Sequence, residues 1–129
     1  SGLPKDKLDY CYSDGKWNIK EVFQHIIDTE RIFIYRCFRI ARQDRTALAG
    51  YDQNVYVKPS GANQKTIEQL CEEYETTRAA SISLLKSLGD EELRFIGKAS
   101  GNSMSARAAV AIILGHDIWH MDIIKERYL

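Results

Sequence analysis

The sequence has little of several features that would place it in a function class. Eighteen basic residues balance eighteen acidic ones, and no long block of like charge occurs. Nucleic-acid binding through counterion release requires a basic stripe, so no nucleic-acid partner is expected. No apolar run reaches the roughly 18 residues of a membrane span, and no signal-peptide pattern is present. Neither a nucleic acid nor a membrane is therefore expected as a partner.

Cysteine is also scarce. Cys11, Cys37 and Cys71 are odd in number and lack the spacing of metal or redox motifs. Cys37 and Cys71 fall at helical positions among apolar neighbours, where a reduced cysteine behaves as a small hydrophobe. Reduced structural thiols are typical of a cytoplasmic protein, which is the expected location.

What the sequence does have is helical periodicity. The Asn18–Glu21 pair and the Thr66–Gln69 pair each have the spacing of a capping box at a helix start. Apolar residues then recur at helical intervals after each of these starts. Three long helices are predicted: Asn18 to about Arg42, Thr66 to Leu88, and Ser103 or Ser105 to Tyr128.

No stretch alternates strictly enough between apolar and polar residues to predict a strand. The fold class is therefore all-α, most simply an antiparallel bundle formed by the apolar faces of these helices. Residues 1–129 are expected to form a single domain. Gly89 stands where a left-handed residue would end the second helix. The next four residues, Asp90 to Leu93, predict a short extra turn.

A long connection, residues 44–65, separates the first two helices. A connection of more than about 12–15 residues is unusual in a compact domain and is often functional. It carries Tyr51, Asp52, Asn54 and Tyr56, which suit the mouth of a pocket. The alternative is a crossover that has no part in chemistry.

The three histidines give the strongest chemical signal in the chain. His116 and His120 lie four residues apart in the third helix, so their Cβ atoms project from one face roughly 5–6 Å apart. That spacing allows both imidazoles to bind one metal ion at roughly 2.0–2.1 Å. His25, from the first helix, would complete a three-histidine site with open positions. Buried imidazoles are costly unless their nitrogens are bonded, and a shared cation meets that need.

Simpler interpretations exist for the same residues. A lone histidine is more often a core or surface residue than a ligand. The segment His116 to His120 is not the zincin pattern, because Asp117 occupies the slot of the glutamate. Asp28 is either a group that orients His25, a general base or, as the favoured interpretation, a salt-bridge partner of Arg31.

Four arginines lie along the first helix: Arg31, Arg36, Arg39 and Arg42. Arginine binds anions through a bidentate fork, so one of them is a candidate for holding the carboxylate of a substrate or thiol cofactor. The favoured interpretation for each is a solvated face that pairs with Glu30, Asp44 and the acids of the second helix.

Taken together, these residues resemble the DinB-like superfamily of damage-inducible proteins, whose relatives include metal-dependent thiol transferases. The resemblance covers nearly the whole chain, and its ordered combination of motifs is more specific than the histidines alone. The matching segments are Gly15 to Val22, His25 to Arg31, Arg36, Arg39 to Arg42, Gly50 to Asp52, Ser100 to Asn102, Ser105, Arg107 and Gly115 to His120.

The resemblance implies an antiparallel four-helix bundle, often dimeric, that holds a divalent metal ion. The ligand positions of the family match His25, His116 and His120. Zn²⁺, Ni²⁺ and Fe²⁺ all suit a site of three imidazoles. Some relatives use the metal to activate the thiol of bacillithiol, mycothiol or glutathione. A low-molecular-weight thiol is therefore the expected cosubstrate.

The expected function is thus that of a divalent-metal-dependent thiol transferase acting on small electrophiles. The candidates for its substrate pocket are Thr29, near the face of His25, and Tyr51, Asp52 and Tyr56 of the long connection. The alternatives are a metal-dependent hydrolase and a non-enzymatic stress-response protein with a structural metal site.

The start of the chain departs from the family pattern. Family members usually carry a further long helix before the Tyr10-Cys11-Tyr12 region, and only nine residues precede Tyr10 here. The family's first helix is therefore expected to be absent from this chain. Three helices this apolar would expose a groove unless a partner filled it. The expectation is a homodimer, or a missing N-terminal segment.

Overall fold

Residues 17–127 are described by the structure, which is a computed structural model. Three long helices account for most of these residues, which confirms the all-α fold class. Two 3₁₀ turns, Lys58–Ser60 and Ala62–Gln64, add to the long connection. The other elements, in chain order, are α1 (Ile19–Ala41), β1 (Ala47–Leu48), α2 (Gln53–Val57), α3 (Ile67–Lys86), α4 (Asp90–Arg94), β2 (Ile96–Ala99), β3 (Asn102–Ser105) and α5 (Ala106–Arg127).

Helices α1 and α3 begin at the predicted caps. The Asn18 side chain accepts a hydrogen bond from the Glu21 amide at 2.9 Å, and the Glu21 carboxylate accepts one from the Asn18 amide at 3.1 Å. Thr66 and Gln69 exchange the same two bonds at 3.0 and 2.8 Å. Each pair satisfies amide groups that a helix start leaves without partners, so both predicted starts are confirmed.

The prediction for Gly89 is wrong. Its φ is −95° and its ψ is 177°, which is extended backbone rather than left-handed. The reason is that α4 follows at once, because Gly89 is the residue before its first turn, where extended backbone is usual. The short turn predicted at residues 90–93 is confirmed as α4.

Helix α1 is central because it is apolar on two sides. Toward α3 it forms one buried cluster: Ile19, Val22, Ile26, Ile27, Ile67 and Leu70. Toward α5 it forms a second: Cys37, Ile40, Ala41, Ala106 and Ala109. Both α3 and α5 are thereby packed on α1, and the second cluster fixes which face of α5 is turned toward it.

A small sheet that periodicity did not predict lies beside α1. Strand β1 pairs in parallel with β2, and β2 pairs antiparallel with β3. Gly97 lets the sheet approach closely, because a Cβ there would lie 2.8 Å from Cγ1 of Ile40. Ser100 (φ 52°) and Gly101 (φ 80°) form a two-residue turn with left-handed backbone at both positions. The sheet thus brings Ser100 to the flank of α1.

Several expectations lie outside the described residues. They concern the helix before Tyr10, the state of Cys11 and the helix end at Tyr128. Cys37 is buried and Cys71 is half-buried, and both are free thiols. None of the helices within residues 17–127 is both long enough and apolar enough to cross a membrane.

Candidate metal centre

Three imidazoles meet between α1 and α5. The Nε2 atom of His116 lies 2.8 Å from Nε2 of His25 and 2.9 Å from Nε2 of His120. His25 and His120 are buried, with 2% and 9% of their surfaces exposed, and His116 is half-buried. The fold therefore brings together the three residues that the sequence singles out as ligands, although His25 and His116 are 91 residues apart in the chain.

The chemistry of these nitrogens fits a metal ion. An imidazole Nε2 carries either one N–H or one in-plane lone pair. The Nε2 atom of His116 therefore cannot hydrogen-bond to the Nε2 atoms of His25 and His120 at the same time. A tetrahedral ion bound at about 2.0–2.1 Å would hold such nitrogens roughly 3.3 Å apart. The two observed spacings, 2.8 and 2.9 Å, are about half an ångström shorter than that value, and all three ligand nitrogens lie within 4.8 Å of one another. Three neutral imidazoles with one open side form a donor set that suits Zn²⁺, Ni²⁺ or Fe²⁺.

Burial keeps these imidazoles neutral and therefore available as ligands. Burial, with the nearby His116 and His120, lowers the pKa of His25 to about 3. Burial, followed by the effect of His116, lowers the pKa of His120 to about 4. The pKa of His116 is lowered as well, again mainly by burial. At neutral pH no proton has to be displaced before a cation binds.

The metal-free protein is expected to lose stability as the pH falls from 7 to 5. Histidines of the unfolded chain bind protons near pH 6.5. His25 and His120 in the folded protein do so only near pH 3 and 4. The free energy of unfolding is therefore highest above pH 6.5 and decreases as the pH falls below that value. At pH 5 it is lower by about 2 kcal/mol for each imidazole that stays neutral in the folded protein. Urea unfolding of chelator-treated protein across this window measures the slope. A flat profile would contradict the neutral triad.

A buried polar network holds α5 in place beside the histidines. The Arg78 guanidinium donates to both carboxylate oxygens of Glu30 at 2.8–3.1 Å and to Oδ2 of Asp117 at 2.8 Å. The Tyr74 hydroxyl donates to the same Asp117 oxygen at 2.6 Å. Burial and this bond raise the pKa of Tyr74 to about 12, so it remains a donor. Because Asp117 follows His116 in the chain, the network links α1, α3 and the ligand-bearing turn of α5.

Sequence patterns did not reveal this network. Glu30, Tyr74 and Arg78 come from two helices, and no local spacing relates them to Asp117. The available signal was the placement of Glu30 among apolar positions of α1, where a buried acid requires a cationic partner. Trp17 was also not predicted as part of the site, although the centre of its ring lies 4.6 Å from the centre of the His25 ring.

The Asp28 carboxylate forms no hydrogen bond with any of the three imidazoles in the structure. Its carboxylate accepts a bond from Gln24 Nε2 at 3.0 Å and lies 3.8 Å from Arg31 Nη1. Burial raises its pKa, although Gln24 and Arg31 oppose that shift. The contacts agree with the favoured interpretation, a salt-bridge partner rather than a group that orients His25.

A cavity of about 590 Å³ opens beside His116. Three of the four residues chosen from sequence for the pocket wall, Thr29, Tyr51 and Asp52, line it. Tyr56 instead lines a neighbouring depression together with Pro59 and Lys65, and its ring contacts that of Tyr51 at 4.9 Å. The complete lining is Thr29, Phe33, Arg36, Tyr51, Asp52, Gln53, Asn54, Ser100, Ile112 and His116.

The four arginines of α1 do not share one role. Arg31 pairs with Glu73 at 2.7 Å and Arg39 with Asp44 at 2.6 Å, as expected for a solvated face. Arg42 stacks on the Phe38 ring, with its guanidinium carbon 4.9 Å from the ring centre. Arg36 departs from the favoured interpretation, because it is only 4% exposed and lines the cavity.

Comparisons with known proteins agree with this picture. A family model described as the DinB superfamily matches residues 1–124. Among solved structures, YfiT from Bacillus subtilis superposes with a TM-score of 0.86 at 17% identity, over 96% of this chain and 72% of YfiT. YfiT is described as a "probable metal-dependent hydrolase with an unusual four-helix bundle topology". No curated protein matches the chain. The likeness confirms the four-helix-bundle class of the fold.

Proposed function

The chain belongs to the DinB superfamily, and from that membership and the three facing imidazoles we propose that it is a divalent-metal-dependent enzyme that transfers thiols to small electrophiles. The observation that carries this proposal is the cavity beside His116. A structural metal site is closed by protein ligands, whereas a catalytic one keeps a position that a substrate can reach. His25, His116 and His120 would hold the ion, and the cavity would admit the ligand.

The residues of the chain divide this work. A divalent ion held by the triad would supply Lewis acidity, which lowers the pKa of a coordinated thiol or water. The Arg78 network binds Glu30 of α1 and Asp117 of α5, and so holds in place the turn of α5 that carries His116. The rings of Phe33 and Tyr51 line the cavity. The thiol would lose its proton to solvent, and its sulphur would form a bond to an electrophilic carbon while the bond from that carbon to the leaving group breaks and the leaving group departs with the electron pair.

Metal-dependent hydrolysis is the second candidate. The description of YfiT as a probable hydrolase favours it, and it requires only that water rather than a thiol occupy the open position. A non-enzymatic stress-response protein with a structural metal site is less well supported, because such a site has no use for a cavity at His116.

Homodimer formation also remains a prediction. Three large apolar side chains of α5, Leu114, Ile118 and Trp119, are between 49% and 64% exposed. Such a patch favours a partner surface. Sedimentation of the whole chain at several concentrations tests this expectation directly.

Thiol transfer is expected when the nickel- or zinc-loaded protein is mixed with a small thiol and an electrophile. Bacillithiol, mycothiol and glutathione are each supplied with monochlorobimane, and adduct formation is measured by fluorescence. A rate above that of the free ion with at least one thiol supports the transferase. Release of nitrophenol from an acyl ester, with no response to any thiol, would favour the hydrolase. Activity with neither substrate, despite bound metal, would contradict both enzymatic functions.

A further inference from the structure

We propose that Arg36, with Thr29, forms a binding site for a carboxylate in the cavity beside the imidazoles. The ligand of this protein is then a small monoanion that carries its metal-binding group at one end and a carboxylate at the other. The proposal deepens the proposed function, because it assigns a class of ligand to the same cavity.

The first observation is that Arg36 is buried without a carboxylate. It is 4% exposed, and no acidic oxygen among the described side chains lies within 4.0 Å of it. Its Nη2 atom donates to the carbonyl of Ala49 at 3.0 Å and to the Ser100 hydroxyl at 3.1 Å. Asp52 lines the same cavity, but its Oδ1 atom accepts the amide of Asn54 instead. A buried charge that lacks a counter-charge is costly, and an anionic ligand would supply one.

The rest of the guanidinium is held in position for such a ligand. Its carbon lies 4.8 Å from the centre of the Phe33 ring and 6.0 Å from that of Tyr51. The two bonds of Nη2 fix the plane, while Nε and Nη1 form no hydrogen bond with the part of the chain that the structure describes. Each of those nitrogens is free to donate a single charge-assisted hydrogen bond to a carboxylate oxygen, whereas an edge that binds through two parallel bonds would need Nη2, which is already bonded.

Thr29 supplies an independent second observation. Its hydroxyl oxygen is buried, the residue is 3% exposed, and it has no hydrogen-bond partner within the described residues. It lines the same cavity as Arg36 and His116. A buried hydroxyl without a partner is unfavourable, and a ligand oxygen would satisfy it.

The helix places these groups in a row. His25, Thr29 and Arg36 recur at intervals of four and seven residues, which puts them on one face of α1. The rise of a helix separates His25 from Arg36 by roughly 16 Å at the backbone. The longer side chain of Arg36 leans back toward the N-terminus of the helix, and so toward the imidazoles, which makes the distance between the two groups shorter than that between their backbones. A flexible molecule with a chain of several carbon atoms spans that distance.

The charge of the cavity favours a carboxylate over a phosphate. Arg36 is the only cationic side chain among its lining residues, and Asp52 adds a negative charge at the mouth. Because Asp52 repels anions, a monoanionic carboxylate is repelled less strongly than a dianionic phosphate.

The test compares ligands that differ only in charge. Titration calorimetry on the nickel-loaded protein measures the binding of 6-mercaptohexanoate and of uncharged 6-mercapto-1-hexanol. The carboxylate is expected to bind at least tenfold more tightly. Arg36→Gln should weaken its binding roughly 30-fold and remove the preference over the alcohol. Arg39→Gln, on the same helix but outside the cavity, is the matched control and should leave the affinity unchanged.

Thr29→Val covers the case in which Arg36→Gln fails to fold. It removes the unpartnered hydroxyl while keeping the shape of the side chain, so the fold should persist while carboxylate affinity falls about tenfold. Equal binding of the acid and the alcohol, or no effect of either variant, would overturn the proposal. Competition by inorganic phosphate at a lower concentration than by hexanoate would overturn the choice of a carboxylate.

The same experiment separates this proposal from the proposed function. Hexanoate binding to the metal-free protein reports the Arg36 site without any metal. The sulphur-to-nickel absorption band reports coordination of the thiol without Arg36. Hexanoate binding with no nickel band would mean that the carboxylate site stands while the metal-dependent function fails. A nickel band with no preference for the acid would mean the reverse.

Discussion

The His25→Ala variant is expected to bind divalent metal roughly 10²–10³-fold more weakly than the wild type. Structural zinc sites with four ligands are stabilised by about 10–16 kcal/mol, so each ligand contributes about 3 kcal/mol. His25 is the only imidazole that α1 supplies, and its Nε2 lies 2.8 Å from that of His116. Metal content after dialysis against a weak chelator, measured by mass spectrometry, gives the result directly.

Thermal melting gives a second measure of the same change. Metal at about 100 times its dissociation constant should stabilise the wild type by about 2.7 kcal/mol, and the variant by far less. Asp28→Asn is the matched control, because Asp28 lies one turn from His25 but bonds Gln24 instead of an imidazole. Stoichiometric metal in the alanine variant would show that the ligands are other residues.

The free energy of unfolding of the Arg78→Met variant is expected to be about 3 kcal/mol lower than that of the wild type. The change leaves the Glu30 carboxylate, 3% exposed, without its cation, and Asp117 loses one of its two donors. Breaking a buried ion pair is costly because the remaining charge stays desolvated. Urea unfolding at pH 7 measures the difference.

Arg31→Met is the control for that variant. Arg31 also joins α1 to α3, but its side chain is 51% exposed where it pairs with Glu73. Exposed pairs contribute less than about 1 kcal/mol, so the variant should be nearly as stable as the wild type. Equal losses in the two variants would mean that the Arg78 network stabilises no more than a surface pair. Adding Glu30→Gln to Arg78→Met should restore part of the lost stability.

The helices could be predicted because their signals are local. Asn18 with Glu21, and Thr66 with Gln69, satisfy helix starts through contacts three residues apart, and such contacts are visible in the sequence. The approach of His25 to His116 could also be predicted, because it requires only that the apolar faces of these two predicted helices pack against each other. The four-residue spacing, the third histidine on another apolar helix and the resemblance to the DinB-like superfamily together predicted that these three residues lie close to one another.

The sheet could not be predicted because its strands are too short for an alternating pattern. Strand β1 has two residues, and β2 and β3 have four each. Their pairing depends on the position of Gly97 against Ile40, which is a tertiary contact. The backbone conformation of Gly89 could not be predicted for a related reason, since it is determined by the helix that follows.

The four arginines of α1 show most clearly what could not be predicted from the sequence alone. They repeat along α1 as charged residues of a solvated face do, and for Arg31 and Arg39 that interpretation agrees with their ion pairs. Arg36 differs only because the Ser100 turn and the Ala49 carbonyl cover it. Both contacts come from segments whose placement depends on the sheet. A sequence that does not reveal the sheet cannot separate this arginine from its neighbours.

The turn at Ser100 and Gly101 has a practical consequence for protein engineering. Two residues link β2 to β3, and both have left-handed backbone, so an added residue there would change the register and carry the serine hydroxyl away from Arg36. A fluorescent reporter or an affinity label should therefore be attached elsewhere. Val55 is 62% exposed and follows the cavity-lining Asn54 in the short helix α2. It offers an accessible position for a label that neither shortens nor lengthens the chain.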